Sequence, residues 1–341
     1  ILFVLDITSS NDYRLDYTYN DKTNAYYKLH IESEVFQRAS LICMIEGASL
    51  MIPKSDEDIS QVHGMLKRYP DIKDFAWIGN DGNTHMSAEE HFTATTYTHD
   101  CEVITRGGEI RTFECYKQLP FVCKINAQDV HFDDRCMVYG TGYQYIANVR
   151  SCYKIPRVAY SWNQAYHECR SEGAHLAVIN SEIERQVLQN LINVEPSIPG
   201  AKEPYFFYVG IRAQKKTDGS AVVFKTIFSK SLLFCSLHII FDNAYLLDYF
   251  FPNIILIICC QIKKKCCICS HYINVNNTKE KNVFLDETLD RAGFNMWNDN
   301  EPNNALNNEY CGTIFKSNAK FNDVDCSFLY AFICENEVKR N

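Results

Sequence analysis

The chain has 341 residues, of which 46% are hydrophobic and 13% aromatic, and its formal net charge is -8 at pH 7. This length and composition allow two ordinary hydrophobic cores and exclude a wholly disordered protein. Because nucleic acids and anionic membrane surfaces both attract basic faces, the acidic balance argues against either as the main partner. Cations or neutral ligands fit the charge better.

The cysteine content indicates where the protein works. Sixteen cysteines would be at risk in a reducing cytosol, so the sequence predicts a secreted, extracellular protein. The first five residues, ILFVL, are apolar but too short for a complete signal peptide. Two interpretations stay open, the end of such a signal and the first strand of a domain, and the true amino terminus is expected to lie upstream.

An internal repeat organises the chain. Aligned without gaps, residues 36–55 match residues 162–181, including a shared Glu-Gly-Ala sequence and a shared final Ser. In the same register Tyr27-Lys28 falls on Tyr153-Lys154. Such self-similarity indicates two copies of one structural unit. The predicted domains are an N-terminal segment (1–25), copy one (26–124), a polar linker (125–135) and copy two (136–336).

Each copy is predicted to contain a strand, two helices and then strands and loops, so the predicted fold class is α+β. In copy two the helices are expected over residues 162–172 and 182–192, and Gly173 stands where the first would stop. Both helix starts have capping-box spacing. The residues with that spacing are Ser161 with Gln164 and Ser181 with Glu184. Aromatic, β-branched runs ending in Gly predict a buried strand in each copy, at 75–79 and 205–210.

The repeat also favours one set of disulfide pairs, although sequence alone leaves the connectivity open. Within each copy, one bond would join the first helix to the last strand and a second would close the preceding loop. A fifth bond would hold an extra hairpin at the entrance to copy two. The favoured pairs are Cys43–Cys123, Cys101–Cys115, Cys169–Cys334, Cys311–Cys326 and Cys136–Cys152.

Residues 227–282 interrupt the repeat, because copy one passes directly from its core strand to its loop cysteine. The insertion contains six cysteines and the sole glycosylation sequon of the chain, Asn276-Asn277-Thr278. A membrane span over 245–260 is one interpretation, which Asp248 and Pro252 interrupt. A zinc site is another, although adjacent cysteines suit tetrahedral ligation poorly. The sequence favours a third, an insertion without function such as retained intron sequence. The cysteines are Cys235, Cys259, Cys260, Cys266, Cys267 and Cys269.

The region after the insertion is rich in side-chain oxygens. The sequence WNDNEPNN at residues 297–304 leads into a span framed by three cysteines. Since Ca²⁺ takes about six to eight oxygen ligands, carboxylates and amide carbonyls on wrapping loops predict a calcium site here. A cis bond at Pro302 would turn its neighbouring carbonyls to the same side. The predicted calcium ligands, which can also hydrogen-bond sugar hydroxyls, are Glu301, Asn303, Glu309, Asn322 and Asp323.

This spacing, framed by Cys311, Cys326 and Cys334, resembles the carbohydrate-recognition domain of C-type lectins. The sequences ASL at 48–50 and AHLA at 174–177 are similar to the helix junction of that family, and Val209-Gly210 to its core "WIG" strand. Two such domains in tandem, with DRAGF at 290–294 before Trp297, resemble the immulectins, humoral recognition lectins of moths and butterflies.

The resemblance implies a function. A Glu-Pro-Asn loop is associated in that family with calcium-dependent binding of mannose, glucose and N-acetylglucosamine, rather than the galactose-type Gln-Pro-Asp. Pattern recognition of microbial surface glycans in innate immunity follows as the expected role. Because the affinity of one sugar site is expected to be weak, oligomeric display would supply useful binding.

Some positions depart from the family pattern. Phe321 stands where the family usually has Trp, and Asn304 and Tyr310 stand where members with an auxiliary calcium often have acids. Copy one has no Glu-Pro-Asn sequence, and the Asp81-Gly82 pair within its Asn-Asp-Gly-Asn sequence is predicted to be a turn. Copy one is therefore expected to bind without calcium or to support copy two.

The sequence fits other classes of protein less well than a lectin. The histidines of copy one show neither metal spacing nor a neighbouring nucleophile, and no hydrolase or transferase constellation is found, so the chain is predicted not to be an enzyme. These histidines are His63, His85, His91 and His99. The open alternatives are a protein-binding module that keeps the fold without the sugar site, and a membrane-tethered receptor that uses residues 245–260.

Overall fold

The computed structural model describes residues 13–80, 100–215, 222–227 and 288–338. Apart from Ile227, the predicted insertion lies outside the described residues, together with its cysteines, its sequon and the proposed membrane span. The Asp81-Gly82 turn and three of the four copy-one histidines also lie outside them. His63 is exposed on a helix. Within the described part of the chain, no helix is both long and apolar enough to cross a bilayer.

Copy one is built on one antiparallel sheet with two helices. Its elements are β1 (Thr18–Asn20), β2 (Ala25–Glu34), α1 (Phe36–Ile45), β3 (Ser49–Leu50), α2 (Asp56–Lys67), β4 (Phe75–Trp77), β5 (Asp100–Thr105), β6 (Ile110–Glu114) and β7 (Leu119–Asn126). The strand order is β1-β2-β7-β4-β5-β6, and β3 also pairs with β7. Strands β4 and β7 run parallel, and the other pairs are antiparallel. The last strand thus lies at the centre of the sheet and holds the copy together.

Copy two repeats the helices and divides its strands between two larger sheets and one separate two-stranded sheet. Its elements are β8 (Phe132–Asp133), β9 (Val138–Tyr139), β10 (Gln144–Ile146), β11 (Ser151–Lys154), α3 (Trp162–Ser171), β12 (His175–Leu176), α4 (Glu182–Val194), β13 (Phe206–Lys215), β14 (Val222–Thr226), α5 (Leu289–Ala292), β15 (Cys311–Phe315), β16 (Phe321–Val324), β17 (Ala331–Phe332) and β18 (Cys334–Glu337). Of the two larger sheets, one has the strand order β10-β11-β18-β12. The other has the order β14-β13-β15-β16, and β17 also pairs with β13. Both copies therefore combine helices with antiparallel sheets, which confirms the α+β class.

Local sequence explains where the helices begin and end. Ser161 forms a complete capping box with Gln164 at the start of α3. Ser181 accepts a hydrogen bond from the Glu184 amide, but the Glu184 carboxylate turns to the Asn180 amide, so this second box is half formed. Gly173 follows α3 with a φ of +89°, a conformation that costs glycine little. The two predicted helices are confirmed within two residues at their ends.

Five disulfides join the described residues, and they are the five pairs that the repeat favours. Two of them connect the first helix of a copy to its last strand, and two close the hairpin before that strand. The fifth holds the hairpin that opens copy two. The bonds are Cys43–Cys123, Cys101–Cys115, Cys136–Cys152, Cys169–Cys334 and Cys311–Cys326.

The N-terminal segment carries the central contact between the copies. Arg14 is 1% exposed, and its guanidinium lies 2.9 Å from Glu168 and 3.1 Å from Glu172 of copy two. The same group lies 3.6 Å from Glu46 of copy one. Glu46 and Glu172 occupy equivalent repeat positions, and the Leu15 amide donates to the Ser171 carbonyl nearby. We expected no such role for this segment from the sequence, because the three carboxylates lie far away in the chain.

Candidate functional site

The predicted calcium ligands lie on one long loop and one strand of copy two. The loop runs from α5 to β15 and carries Glu301, Asn303 and Glu309, while β16 carries Asn322 and Asp323. Strand β16 pairs with β15, which in turn pairs with β13. The strand ligands therefore stand on the central sheet of the copy, and the loop ligands must fold back to meet them.

Aromatic packing supports the base of the loop. Trp297 packs edge-to-face against Phe224, with ring centroids 4.8 Å apart, and against Phe321 at 5.7 Å. Phe321 is fully buried and also meets Phe294 at 5.3 Å. The Asn298 amide donates to the Phe321 carbonyl at 2.9 Å. Phe321, in the position where the resemblance leads one to expect Trp, therefore holds the loop base to β16.

Asparagine suits the backbone of this loop. Asn300, Asn304 and Asn307 have φ angles of 65°, 46° and 56°, in the left-handed region that asparagine tolerates better than most residues. Leu306, at 56°, shares this conformation without that advantage. The Glu301–Pro302 peptide bond is cis. The asparagine-rich sequence is thus explained by local geometry as well as by ligand chemistry.

Asp323 connects the loop to the strand. Its two carboxylate oxygens accept from the Asn303 amide at 3.1 Å and from the Asn304 amide at 2.8 Å. The residue is 2% exposed and pairs with Gly312 across the β15–β16 ladder. A buried carboxylate with two backbone donors is well ordered. Asp323 therefore sets the position of the Glu-Pro-Asn-Asn turn.

Glu301 and Asn303 lie together on the outer side of this turn. The Asn303 amide Nδ2 donates to Glu301 Oε1 at 3.0 Å, and the Asn303 backbone amide donates to Glu301 Oε2 at 3.2 Å. The Asp323 carboxyl group is also close enough to Glu301 to raise the pKa of Glu301. Asn303 is exposed and Glu301 half-buried, so this edge of the site faces solvent and is open to a ligand.

Glu309 closes the other side of the loop. Its Oε2 accepts from the Ala305 amide at 2.8 Å, and its own backbone amide donates to Asn304 Oδ1 at 3.1 Å. Sequence reasoning treated Asn304 as a position without an auxiliary acid, whereas the structure gives it a positioning role for Glu309. The left-handed preference of asparagine was the available signal for that role.

Asn322 is placed differently from the other four residues. It is 5% exposed, and its Nδ2 donates to the backbone carbonyl of Asp323 at 2.9 Å. Its own carbonyl accepts from the Thr313 hydroxyl at 3.3 Å. Hydrogen bonds thus join Asn303 to both Glu301 and Asp323. Glu309 meets Asn303 at the Ala305 amide, from which both side chains accept. Asn322 is joined to this group through the Asp323 backbone.

The environment of the loop edge raises the proton affinity of its two glutamates. Partial burial raises the pKa of Glu301 to about 7, and hydrogen bonding to Asp323 and repulsion from it add to this. Burial and repulsion by Asp323 and Asp325 also raise the pKa of Glu309, although Lys202 opposes the shift. Negative charge is therefore concentrated at a place that solvent can reach.

The donor set of this edge fits a calcium ion. Its side chains offer carboxylate and amide oxygens, the hard ligands that Ca²⁺ takes, and no sulfur or imidazole. Each ionised carboxylate has lone pairs beyond those used by the loop amides. A divalent cation would also relieve the mutual repulsion that raises the pKa of Glu301.

Comparison with known proteins identifies the domain type. The family model described as Lectin C-type domain matches residues 32–125 and 158–230, one segment in each copy. The five predicted calcium ligands lie outside those segments, so the match concerns the scaffold of both copies.

Two of the similar curated proteins are named for lipopolysaccharide or mannose binding. The chain is 27% identical over 198 residues to a protein of Periplaneta americana named Hemolymph lipopolysaccharide-binding protein, an alignment that covers 58% of this chain and 53% of the relative. It is 33% identical over 66 residues to a C-type lectin mannose-binding isoform of Oxyuranus scutellatus, covering 19% and 42%. The chain spans about half the length of the curated relatives it matches.

Two solved structures of C-type lectins align with part of the chain at low identity. The carbohydrate-recognition domain of mouse scavenger receptor C-type lectin aligns with 13% identity and a TM-score of 0.32, covering 58% of this chain and 96% of that domain. The C-type lectin CEL-I from Cucumaria echinata aligns with 14% identity and a TM-score of 0.32, covering 58% and 97%. One segment of the C-type lectin domain family is therefore present in each copy, and the members of that family are binding proteins rather than enzymes.

Proposed function

We propose that copy two binds sugars of the mannose, glucose and N-acetylglucosamine type in a calcium-dependent manner. The observation that carries this proposal is the convergence of Glu301, Asn303, Glu309 and Asp323 at one solvent-facing loop edge. Asn322 adjoins this edge as the fifth proposed ligand. The C-type lectin scaffold around the loop supports a carbohydrate as the ligand class.

The chemistry of the four converging side chains suits a pair of neighbouring hydroxyls. Bound Ca²⁺ would offer the hydroxyl oxygens two coordination positions. The carboxylates of Glu301 and Glu309 accept hydrogen bonds from the hydroxyl protons, while the Asn303 amide NH₂ donates one to a hydroxyl oxygen. Asp323, buried beneath them, holds the loop in position through the Asn303 and Asn304 amides.

Two observations support recognition of microbial glycans outside the cell. The name of the Periplaneta americana relative refers to hemolymph and to lipopolysaccharide. The five disulfides of the described residues suit an oxidising compartment. We accordingly propose secretion and a role in innate immune recognition, with weak single-site binding strengthened by multivalent display.

Retention on mannose-agarose tests this function. The full chain should be retained in calcium and released by EDTA, because chelation removes the ion that the four side chains surround. Passage through the column in calcium would refute the proposal and favour the protein-binding alternative. The membrane-tethered alternative depends on residues 245–260, which lie outside the described residues.

The sugar preference has its own test. The paired substitution Glu301→Gln with Asn303→Asp exchanges the acid and amide positions, and binding should then shift from mannose toward galactose on a glycan array. An array unchanged from that of the natural sequence would show that these two residues do not contact the sugar.

A further inference from the structure

A cleft lies between the two copies, away from the loop that carries Glu301. Its volume is about 480 Å³, within the range of roughly 300–1,000 Å³ typical of small-molecule sites, which often occur at domain interfaces. One wall comes from β2 of copy one and the other from α3 of copy two. Both copies are needed to form it.

The strand wall is polar for a simple geometric reason. Lys28, His30, Glu32 and Glu34 alternate along β2, and side chains two residues apart on a strand point to the same face. All four line the cleft. Glu32 is exposed, and Glu34 is half-buried beside Arg38, whose Nε lies 3.1 Å away. This strand face is thus turned toward a ligand space rather than toward a hydrophobic core.

The helix wall is polar for the matching reason. Gln164, His167, Glu168 and Ser171 are spaced three, one and three residues apart, which places them on one face of α3. That face also lines the cleft. Two polar faces therefore oppose each other across the interface, where direct packing between the copies would have needed apolar side chains.

Acidic side chains outnumber basic ones in the lining of the cleft. Lys28 and Arg170 are the permanent cations among the described lining residues, against five carboxylates. The carboxylates are Asp16, Glu32, Glu34, Glu46 and Glu168. Arg14 pairs with Asp16, Glu46 and Glu168 from beneath, and Arg38 pairs with Glu34. Because acids outnumber bases in this lining, a cation entering the cleft gains favourable electrostatic interactions.

A metal ion is a poor candidate for that cation. Donor atoms of His30, Glu46 and Cys123 lie within 4.8 Å of one another. However, the sulfur of Cys123 is bonded to Cys43 and provides no thiolate. Glu46 is already engaged by Lys28, Arg14 and Tyr17. The space beside these groups, by contrast, has the size of a small organic molecule.

We propose that this cleft binds a small organic cation that carries a primary ammonium group next to hydroxyl groups. The ammonium lies between the β2 carboxylates Glu32 and Glu34 and the α3 carboxylate Glu168, which together accept its three N–H bonds. Gln164 Oε1 accepts from Ser161, so its NH₂ group is the part that donates to a hydroxyl oxygen. The Ser171 hydroxyl donates to the His167 carbonyl, so its oxygen accepts from a ligand hydroxyl. This binding needs no calcium and does not involve the Glu301 loop, so it stands apart from the proposed sugar site.

Glucosamine and N-acetylglucosamine form a matched pair of probes, because the second replaces the ammonium with a neutral amide. Titration of the full chain in EDTA at about pH 7, followed by saturation-transfer difference NMR, should show saturable binding of glucosamine and none of N-acetylglucosamine. Chelation silences the proposed calcium site, so a failure here and a failure of the sugar proposal are distinguishable. No saturable binding, or equal binding of both probes, would overturn the inference.

Substitutions locate the site. The pair Glu32→Gln and Glu34→Gln should weaken glucosamine binding about tenfold or more, because charge-assisted hydrogen bonds are lost. Glu57→Gln, on the exposed side of α2, is the matched control and should change nothing. Gln164→Glu keeps a capping-box residue at that position and adds a carboxylate to the cleft, so it should tighten binding severalfold. Unchanged affinity in both cleft variants would contradict the assignment.

Discussion

At three equivalent positions of the repeat, the two copies carry side chains of different charge. In copy one, Asp58 lies 2.5 Å from Lys124 and accepts a hydrogen bond from Tyr27. In copy two the equivalent residues are Glu184 and Glu335, two acids, and Tyr153 donates to Glu335 at 2.9 Å. The same backbone arrangement thus contains an ion pair in copy one and a pair of acids in copy two. Position in the fold determines which side chains meet, and their identity determines the charge.

A second difference separates the copies at the site. Counting back from the hairpin cysteines, Cys115 and Cys326, Asn322 and Asp323 of copy two correspond to Arg111 and Thr112 of copy one. The hairpins are otherwise alike, since β5 pairs with β6 as β15 pairs with β16, and each is closed by a disulfide. Both copies contain this hairpin, whereas the proposed oxygen ligands on its second strand are present in copy two and not at the equivalent positions of copy one.

The largest expected effect concerns the contact that unites the copies. Arg14→Met would leave Glu46, Glu168 and Glu172 without their shared cation, and breaking a buried ion pair typically costs about 3–5 kcal/mol. Urea unfolding followed by circular dichroism should show this loss, with the two copies unfolding separately.

Arg111→Met is the matched surface control for the arginine variant. Its ion pair with Glu109 is 60% and 64% exposed, so the loss should stay below about 1 kcal/mol. Equal effects of the two substitutions would show that Arg14 does not couple the copies.

The next largest effect distinguishes the β15–β16 hairpin of copy two from the β5–β6 hairpin of copy one. Asp323→Asn keeps the size of the side chain but removes the charge that accepts from the Asn303 and Asn304 amides, so calcium affinity should fall about 100-fold or more. Mannose retention should disappear with it. Calorimetric titration with calcium measures the change, and Thr112→Ala at the equivalent position of copy one should leave the affinity as it was. Calcium binding that survives Asp323→Asn would remove Asp323 from the site.

The acid pair of copy two should give stability an unusual dependence on pH. Burial raises the pKa of Glu335 to about 7, and burial with repulsion from Glu335 raises the pKa of Glu184 to about 7. Both groups bind protons more tightly when folded than when unfolded, where a glutamate has a pKa of about 4.3. Their contribution to the free energy of unfolding is fully present below about pH 4.3. As pH rises toward about 7, about 1–3 kcal/mol of this contribution is lost.

Denaturation at a series of pH values checks this contribution. Glu335→Gln should flatten the decline between about pH 4.5 and 7. Copy one has the opposite sign: burial raises the pKa of Asp58, but hydrogen bonds from Lys124 and Tyr27 outweigh it and hold the pKa below its usual value. The contribution of Asp58 is therefore lost as pH falls, and Lys124→Gln should leave the decline above pH 4.5 in place. A decline unchanged by Glu335→Gln would refute the assignment to this pair.

The smallest expected effect concerns the first helix of each copy. Ser161 caps α3, whereas Val35 at the start of α1 has the same extended backbone and makes no side-chain cap. Ser161→Ala should destabilise copy two by about 1 kcal/mol, and Val35→Ser should stabilise copy one by a similar or smaller amount. Thermal unfolding of both variants measures the difference. A loss of stability in Val35→Ser would show that the valine packs rather than merely precedes the helix.

The sequence by itself determined the repeat, the α+β class, the helices of copy two and the favoured disulfide pairs. These depend on periodicity, caps and cysteine spacing, which are local or repeated patterns. It also predicted ligands for the proposed calcium site. The structure places four of them at one loop edge and joins Asn322 to them through the backbone.

Tertiary structure alone decided the rest. Arg14 meets Glu168 across 154 positions of sequence, and Glu335 lies 157 positions from the Val178 amide that it accepts from. No periodicity links such residues, because their contact depends on how the sheets and the two copies pack. The polar faces of β2 and α3 are visible as spacings, but only their opposition across the interface turns them into a cleft.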